Sequence, residues 1–145
     1  MISDIYLVPH SHTDIGYTHP QPVVLELHRR FLDGAMDLAE STADRTDGSA
    51  FRWMVEVTGT AMDWWRLASD RERERFVKAA QAGMIEVAAM RWNQAQLSDH
   101  HMLIEAMAPV RELRAVGVPI RTAMNTDVNG LNWGFQGAVP VAGDY

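Results

Sequence analysis

The chain has 145 residues, of which 47% are hydrophobic and 22% are charged, and it contains no cysteine. This length and composition predict one globular domain rather than a disordered segment. The formal net charge of −6 argues against a nucleic-acid partner held by phosphate contacts, and the lack of cysteine excludes disulfides and thiolate metal ligands. Because neither a signal-peptide pattern nor a membrane-length apolar run is present, we expect a cytoplasmic protein with no membrane partner.

Short apolar runs alternate with longer amphipathic stretches along the chain. Four runs predict strands, and the first of them reads as buried: residues 5–9, 51–57, 84–88 and 121–125. Helical patterns lie between them and after them: residues 23–40, one or two helices over 59–82, 99–116, and a stretch from Asn132. Strand and helix alternating at this spacing predict an α/β fold of repeated βα units with a mostly parallel sheet.

The loops that follow the four predicted strands are expected to meet. Right-handed crossovers bring the carboxyl ends of parallel strands to one edge of the sheet, where α/β folds place their sites. All four loops carry polar or aromatic side chains that a simple turn would not need: residues 10–17, 56–60, 91–96 and 127–133. The sequence therefore predicts a functional site at this edge.

The most informative loop follows the first predicted strand and reads H-S-H-T-D from His10 to Asp14. Alternate side chains of an extended chain point the same way, so His10, His12 and Asp14 can face one point. Imidazole and carboxylate groups are ligands of Zn²⁺ and similar divalent ions. Two histidines that cap a strand and bond to loop backbone would explain the pattern equally well.

A metal site needs donors from a second loop, and Asp127 is the best candidate because it follows the fourth predicted strand. A turn-forming role is the alternative, since Asp127 is followed by V-N-G. Asp14 and Asp127 would also supply the paired carboxylates that glycoside hydrolysis requires. Trp92 and Trp133 lie in loops at the same face, where an aromatic ring can stack on a sugar or pack against the loop.

The remaining polar candidates have simpler explanations. Glu56 ends the second predicted strand at the same face, and a solvated strand end accounts for it. The other histidines read as loop-shaping, structural or exposed residues: His19, His28, His100 and His101.

Taken in order, these motifs resemble glycoside hydrolase family 38, the α-mannosidases, in its N-terminal part. The stretch V-P-H-S-H-T-D-I-G-Y at residues 8–17 is similar to the family pattern H-S-H-x-D-x-G-W. Three weaker matches follow in the same order: F-R-W-M-V-E at residues 51–56 with a later W-W pair, G-M-I-E-V at residues 83–87, and N-T-D at residues 125–127. The resemblance covers nearly all of the chain.

The resemblance implies a fold and a reaction. Residues 1–145 would form one partial catalytic domain, part of an incomplete β/α barrel of the seven-stranded type. His12, Asp14 and Asp127 would bind one Zn²⁺, although such ligands also suit Mn²⁺ or Co²⁺. Asp127 would in addition be the nucleophile of a retaining glycosidase that acts on α-mannosides.

The resemblance also implies supporting roles around the metal. His10 would orient the loop without binding the ion itself. Tyr17, which replaces the family's tryptophan, would contact the carbohydrate substrate together with Trp92 and Trp133. The loops at residues 90–96 and 127–133 depart from the family's usual sequence patterns, which indicates a divergent branch of the family.

Two alternatives stay open beside the glycosidase. A metal-dependent carbohydrate deacetylase-like hydrolase would use the same ligands, with Asp127 or Asp14 as the base. A non-catalytic truncated product is the second alternative, because four strands do not close a barrel and the family's general acid and last histidine ligand would lie beyond residue 145. We therefore expect a fragment that is inactive by itself; the sequence does not indicate an oligomeric state.

Overall fold

A computed structural model describes residues 2–93, 97–131 and 133–135, which contain five helices and a two-stranded parallel sheet. The elements follow one another as α1 (Gln21–Ser41), β1 (Trp53–Val55), α2 (Thr58–Leu67), α3 (Asp70–Gln81), β2 (Ile85–Val87), α4 (His100–Ala106) and α5 (Ala108–Ala115). Strands β1 and β2 pair in parallel, with Trp53 beside Ile85 and Val55 beside Val87. The α/β class and the parallel pairing are confirmed, but the sheet is smaller than predicted.

The first and fourth predicted strands are wrong as regular strands. Residues 5–9 form no strand, and their apolar side chains are exposed; Leu7, for example, is 86% exposed. An apolar run becomes a buried strand only when another surface covers it, and no described element covers this run. Two isolated parallel bridges remain, between His10 and Met54 and between Ala88 and Thr122. Together with the β1–β2 pairing, these bridges place the four predicted strand segments side by side in chain order.

Of the predicted helical stretches, residues 59–82 form two helices, as the sequence allowed, and residues 99–116 are divided where one helix was predicted. Residues 59–82 form α2 and α3, because Ala68 is extended and Ser69 begins α3 with a capping box in which its side chain accepts from the Glu72 N–H. The stretch predicted as one helix over residues 99–116 breaks at Met107, and Pro109 lies in the first turn of α5, which begins at Ala108. Proline favours the first turn of a helix and disrupts an interior turn, which explains the second break.

The core lies where α1, α2 and α3 pack against the sheet. Phe76 of α3 is fully buried, and its ring centroid lies 5.3 Å from that of Trp64 of α2. Trp64 also donates its indole N–H to Asp33 of α1 at 2.7 Å, so the same side chain joins the core to α1.

The last predicted helical stretch falls mostly outside the described residues, which include only a short helical segment at Gly134 and Phe135. Across the described ranges, every helix is too short or too polar to cross a membrane.

Replacing Ser69 with alanine should lower the free energy of unfolding by about 0.5–2 kcal/mol, because the capping box of α3 loses its side-chain acceptor. Urea unfolding monitored by circular dichroism measures this change. The control is Ser41→Ala, since the exposed Ser41 hydroxyl only donates back to the Leu38 carbonyl at the end of α1. Equal losses in the two variants would contradict the prediction.

Candidate functional site

A pocket of about 510 Å³ opens at the carboxyl ends of β1 and β2. Its walls come from α1 and from all four loops that the sequence predicts to converge. The polar and aromatic side chains that line it include His12, Asp14, Glu56, Trp92, Asn93 and Asp127. The described residues therefore place the predicted site loops around one cavity.

His12, Asp14 and Asp127 lie close together at the mouth of this pocket. His12 Nε2 is 3.4 Å from Asp127 Oδ2 and 4.0 Å from Asp14 Oδ1, and one donor atom from each residue lies within 4.8 Å of the other two. Bonds of about 2.0–2.2 Å around a tetrahedral ion separate its donor atoms by roughly 3.3–3.6 Å. One imidazole and two carboxylates at these separations fit a divalent ion such as Zn²⁺ when the Asp14 carboxylate moves slightly closer to His12.

Asp127 has an unusual backbone. Its φ is +53°, and it is the one residue other than glycine with a positive φ in the described ranges. L-residues rarely adopt this left-handed region, although aspartate tolerates it better than most. Residues held in such conformations cluster at functional sites. Asp127 is also the residue that the sequence predicts to be both nucleophile and metal ligand.

Glu56 is a site residue that the sequence reading missed. It is only 6% exposed rather than solvated. Its Oε1 atom lies 2.7 Å from His12 Nδ1, accepts from Asn93 Nδ2 at 2.9 Å, and accepts from the Thr126 hydroxyl. The sequence did contain a sign of this burial, because Glu56 is a single charged residue between Val55 and Val57, and the uncharged residues T-G-T follow at positions 58–60.

Glu56 and His12 shift each other's ionisation in opposite directions. The hydrogen bond to Glu56 is the largest effect on His12 and raises its pKa, with Asp127 adding to the rise and burial opposing it. Burial is the largest single effect on Glu56 and would raise its pKa, but hydrogen bonds from Thr126, Asn93 and His12 together outweigh burial and lower it. The metal-free site therefore favours an imidazolium–carboxylate pair.

Two further histidines border this pair. His10 Nδ1 is 3.6 Å from Glu56 Oε2, and no described residue offers this buried nitrogen a hydrogen bond. His10 and His12 thus lie beside the same carboxylate, that of Glu56. The supporting role predicted for His10 stays a prediction. His28 of α1 lines the pocket, and burial lowers the pKa of its ring.

The three predicted sugar-contacting aromatic residues differ in position. Trp92 lines the pocket, and its ring packs against α2 where Gly59 has no side chain. A Cβ atom at Gly59 would lie 2.5 Å from both the Trp92 ring and the Arg91 carbonyl oxygen. Tyr17 and Trp133 are 86% and 97% exposed and lie outside the pocket lining, so their contact with substrate stays a prediction.

The family is shown by comparison with known proteins. Residues 3–138 match the N-terminal domain of glycosyl hydrolases family 38, and the chain belongs to this family. A plant relative, alpha-mannosidase 2 of Arabidopsis thaliana, is 29% identical over 106 residues, which are 72% of this chain and 9% of the relative. The chain thus spans about a tenth of that relative's length.

Two solved structures from Enterococcus faecalis share the fold. A family 38 glycosyl hydrolase superposes with a TM-score of 0.62 at 20% identity, covering 81% of this chain and 13% of that one. An alpha-mannosidase from strain V583 gives the same TM-score at 22% identity, covering 78% of this chain and 12% of that one. At these identities the likeness concerns the fold.

Replacing Gly59 with alanine should destabilise the chain by about 1–3 kcal/mol, because the new methyl group would overlap the Trp92 ring and the Arg91 carbonyl. Urea unfolding measures the loss. The control is Gly34→Ala in α1, where a Cβ meets nothing within 4 Å and alanine should stabilise the helix by up to about 1 kcal/mol. A neutral Gly59→Ala variant would contradict the packing described for Trp92.

The His12–Glu56 pair predicts a pH-dependent stability of the metal-free chain. The raised pKa of His12 contributes stability that is complete below its ordinary value of 6.5 and is lost as pH rises through the raised pKa. The lowered pKa of Glu56 contributes stability that is present above 4.5 and is lost as pH falls through the lowered pKa. The pair therefore stabilises most between these two limits.

His12→Gln should accordingly lower the free energy of unfolding more at about pH 5.5 than at about pH 8.5. Urea unfolding at both pH values, with chelator present, measures the difference. His101→Gln is the control, because the His101 side chain is exposed on α4. A loss at pH 8.5 equal to or above that at pH 5.5 would show that the pair is not charged in the folded state.

Proposed function

We propose that the protein containing this chain is a metal-dependent retaining glycoside hydrolase that acts on α-mannosides. The observation that carries the proposal is the meeting of His12, Asp14 and Asp127 in one pocket of a family 38 domain. The mannoside substrate is inferred from relatives that are named alpha-mannosidases. We further propose that residues 1–145 form part of one catalytic domain with the incomplete β/α barrel expected from the sequence.

His12, Asp14 and Asp127 would hold the ion, which is Zn²⁺ in this proposal. These three residues would supply part of the ion's coordination, and another donor or a substrate oxygen would complete it. When bound, a divalent ion supplies positive charge that holds sugar hydroxyls and stabilises negative charge on nearby oxygens.

Asp127 would be the nucleophile. Its carboxylate is exposed to the pocket, so an oxygen can reach the anomeric carbon of a bound sugar. A bond would form between that oxygen and the anomeric carbon while the glycosidic bond breaks, and the leaving oxygen would take a proton from a second carboxylic acid. Water would then hydrolyse the glycosyl ester, and two inversions would give net retention.

Other residues of the chain would orient the reacting groups. Trp92 offers an aromatic face inside the pocket on which a sugar ring can stack. Asn93 and Thr126 hydrogen-bond to each other and to Glu56, and they fix the backbone immediately before Asp127. These contacts keep the carboxylate of Asp127 near His12 before substrate binds.

Asp127→Asn in the full protein should lower kcat/KM for an α-mannoside by roughly 10³-fold or more, because the nucleophilic carboxylate is lost. Asparagine tolerates the left-handed backbone at this position, so the variant keeps its fold. Steady-state kinetics measure the change, and Asp44→Asn in an exposed loop is the control.

A fluorinated mannosyl inhibitor tests the same proposal chemically. Mass spectrometry of the digested protein should find the sugar attached to the peptide that contains Asp127. A protein that removes acetyl groups from sugars and forms no adduct would favour the deacetylase alternative, since that chemistry passes through no glycosyl ester.

A further inference from the structure

Glu56 lies behind the proposed metal ligands and touches three loops of the site. Its carboxylate is buried at the end of β1, and its Oε1 atom meets donors from His12, Asn93 and Thr126. Burying a carboxylate is unfavourable unless hydrogen bonds compensate, and three donors converge here on one oxygen. The surrounding residues therefore hold Glu56 in one position.

The two nitrogens of the His12 ring face different partners. Nδ1 lies 2.7 Å from Glu56 Oε1, whereas Nε2 lies 3.4 Å from Asp127 Oδ2 and faces the metal-ligand cluster. An ionised carboxylate only accepts hydrogen bonds, so the Nδ1 atom opposite Glu56 must carry hydrogen. In a neutral imidazole the other nitrogen, Nε2, then presents a lone pair.

We infer that Glu56 is a positioning residue that fixes His12 in the Nδ1–H tautomer and thereby presents Nε2 to the ion. The inference rests on the proposed metal role of His12. Metal-binding histidines commonly donate their second N–H to a carboxylate or carbonyl, and loss of that partner typically weakens metal binding about 10–100-fold. Glu56 does not touch the reacting atoms and acts through His12.

The same carboxylate also reaches the second ligand loop. Thr126 precedes Asp127 directly, and its hydroxyl donates to Glu56 while its N–H donates to Asn93 Oδ1 at 3.2 Å. One buried group therefore sets the ring of His12 and the start of the loop that carries Asp127. This connection predicts that a change at Glu56 alters two ligands at once.

Glu86 provides a matched control on the neighbouring strand. It lies opposite Met54 in the sheet and accepts from the Thr122 hydroxyl at 2.7 Å, but it is absent from the pocket lining. Glu56 and Glu86 both accept from a threonine hydroxyl, but Glu86 lies in the middle of β2, is less buried than Glu56 and has no described contact with His12. A generic cost of removing a strand glutamate would appear at both positions.

The test measures tautomer and metal affinity separately in Glu56→Leu, Glu56→Gln and Glu86→Gln. Long-range ¹H–¹⁵N NMR of the metal-free, histidine-labelled 145-residue chain at alkaline pH reports which nitrogen of His12 carries hydrogen. We expect Nδ1–H in the parent chain and in Glu86→Gln. Glu56→Leu removes the acceptor and should move His12 towards Nε2–H, and Glu56→Gln should move it less, since a neutral acceptor is weaker than a charged one.

Competition for Zn²⁺ with a chromophoric chelator gives the second readout. Affinity should fall about 10–100-fold in Glu56→Leu, less in Glu56→Gln, and not in Glu86→Gln. Circular dichroism checks folding, and Glu56→Gln carries the test should Glu56→Leu unfold. An unchanged His12 tautomer in folded Glu56 variants would overturn the inference. A parent chain with Nδ1–H on His12 but no affinity for Zn²⁺ would overturn the proposed metal role and leave the tautomer result to decide the role of Glu56.

Discussion

The geometry of the site depends on burying one carboxylate at the end of β1. Glu56 is shielded from water and is compensated by donors from three different loops. Low local polarity strengthens these hydrogen bonds and makes any unpaired group costly. The loops at His12, Asn93 and Thr126 therefore have little freedom to separate, and the proposed ligands of the ion are held near one another before it binds.

Parallel pairing brings those loops together although the sheet is short. Single bridges at His10 and Thr122 extend the β1–β2 pair on both sides, and all segments run in the same direction. Their carboxyl ends consequently lie at one edge, as in other α/β folds. Trp92 packs closely on Gly59 and forms part of the pocket wall, so a position without a side chain also shapes the site.

Local pattern in the sequence was sufficient for α1 and for the parallel pairing of β1 with β2. It predicted α1 within two residues at its start and one at its end, because an amphipathic period and a proline pair mark a helix by themselves. It was insufficient for residues 5–9, whose burial depends on a covering surface, and for the break at Met107, where Pro109 overrides the helical period. Glu56 was misread because burial of a charged group depends on donors far along the chain.

We propose that one imidazole and two carboxylates, drawn from two loops, bind a single divalent ion. X-ray absorption spectroscopy of the zinc-loaded chain tests this most directly, because multiple scattering counts imidazole ligands. We expect one imidazole, with nitrogen and oxygen donors at about 2.0–2.2 Å, and loss of that imidazole signal in His12→Gln. Two imidazoles, or a signal that survives His12→Gln, would contradict it and would place the ion on His10 or elsewhere.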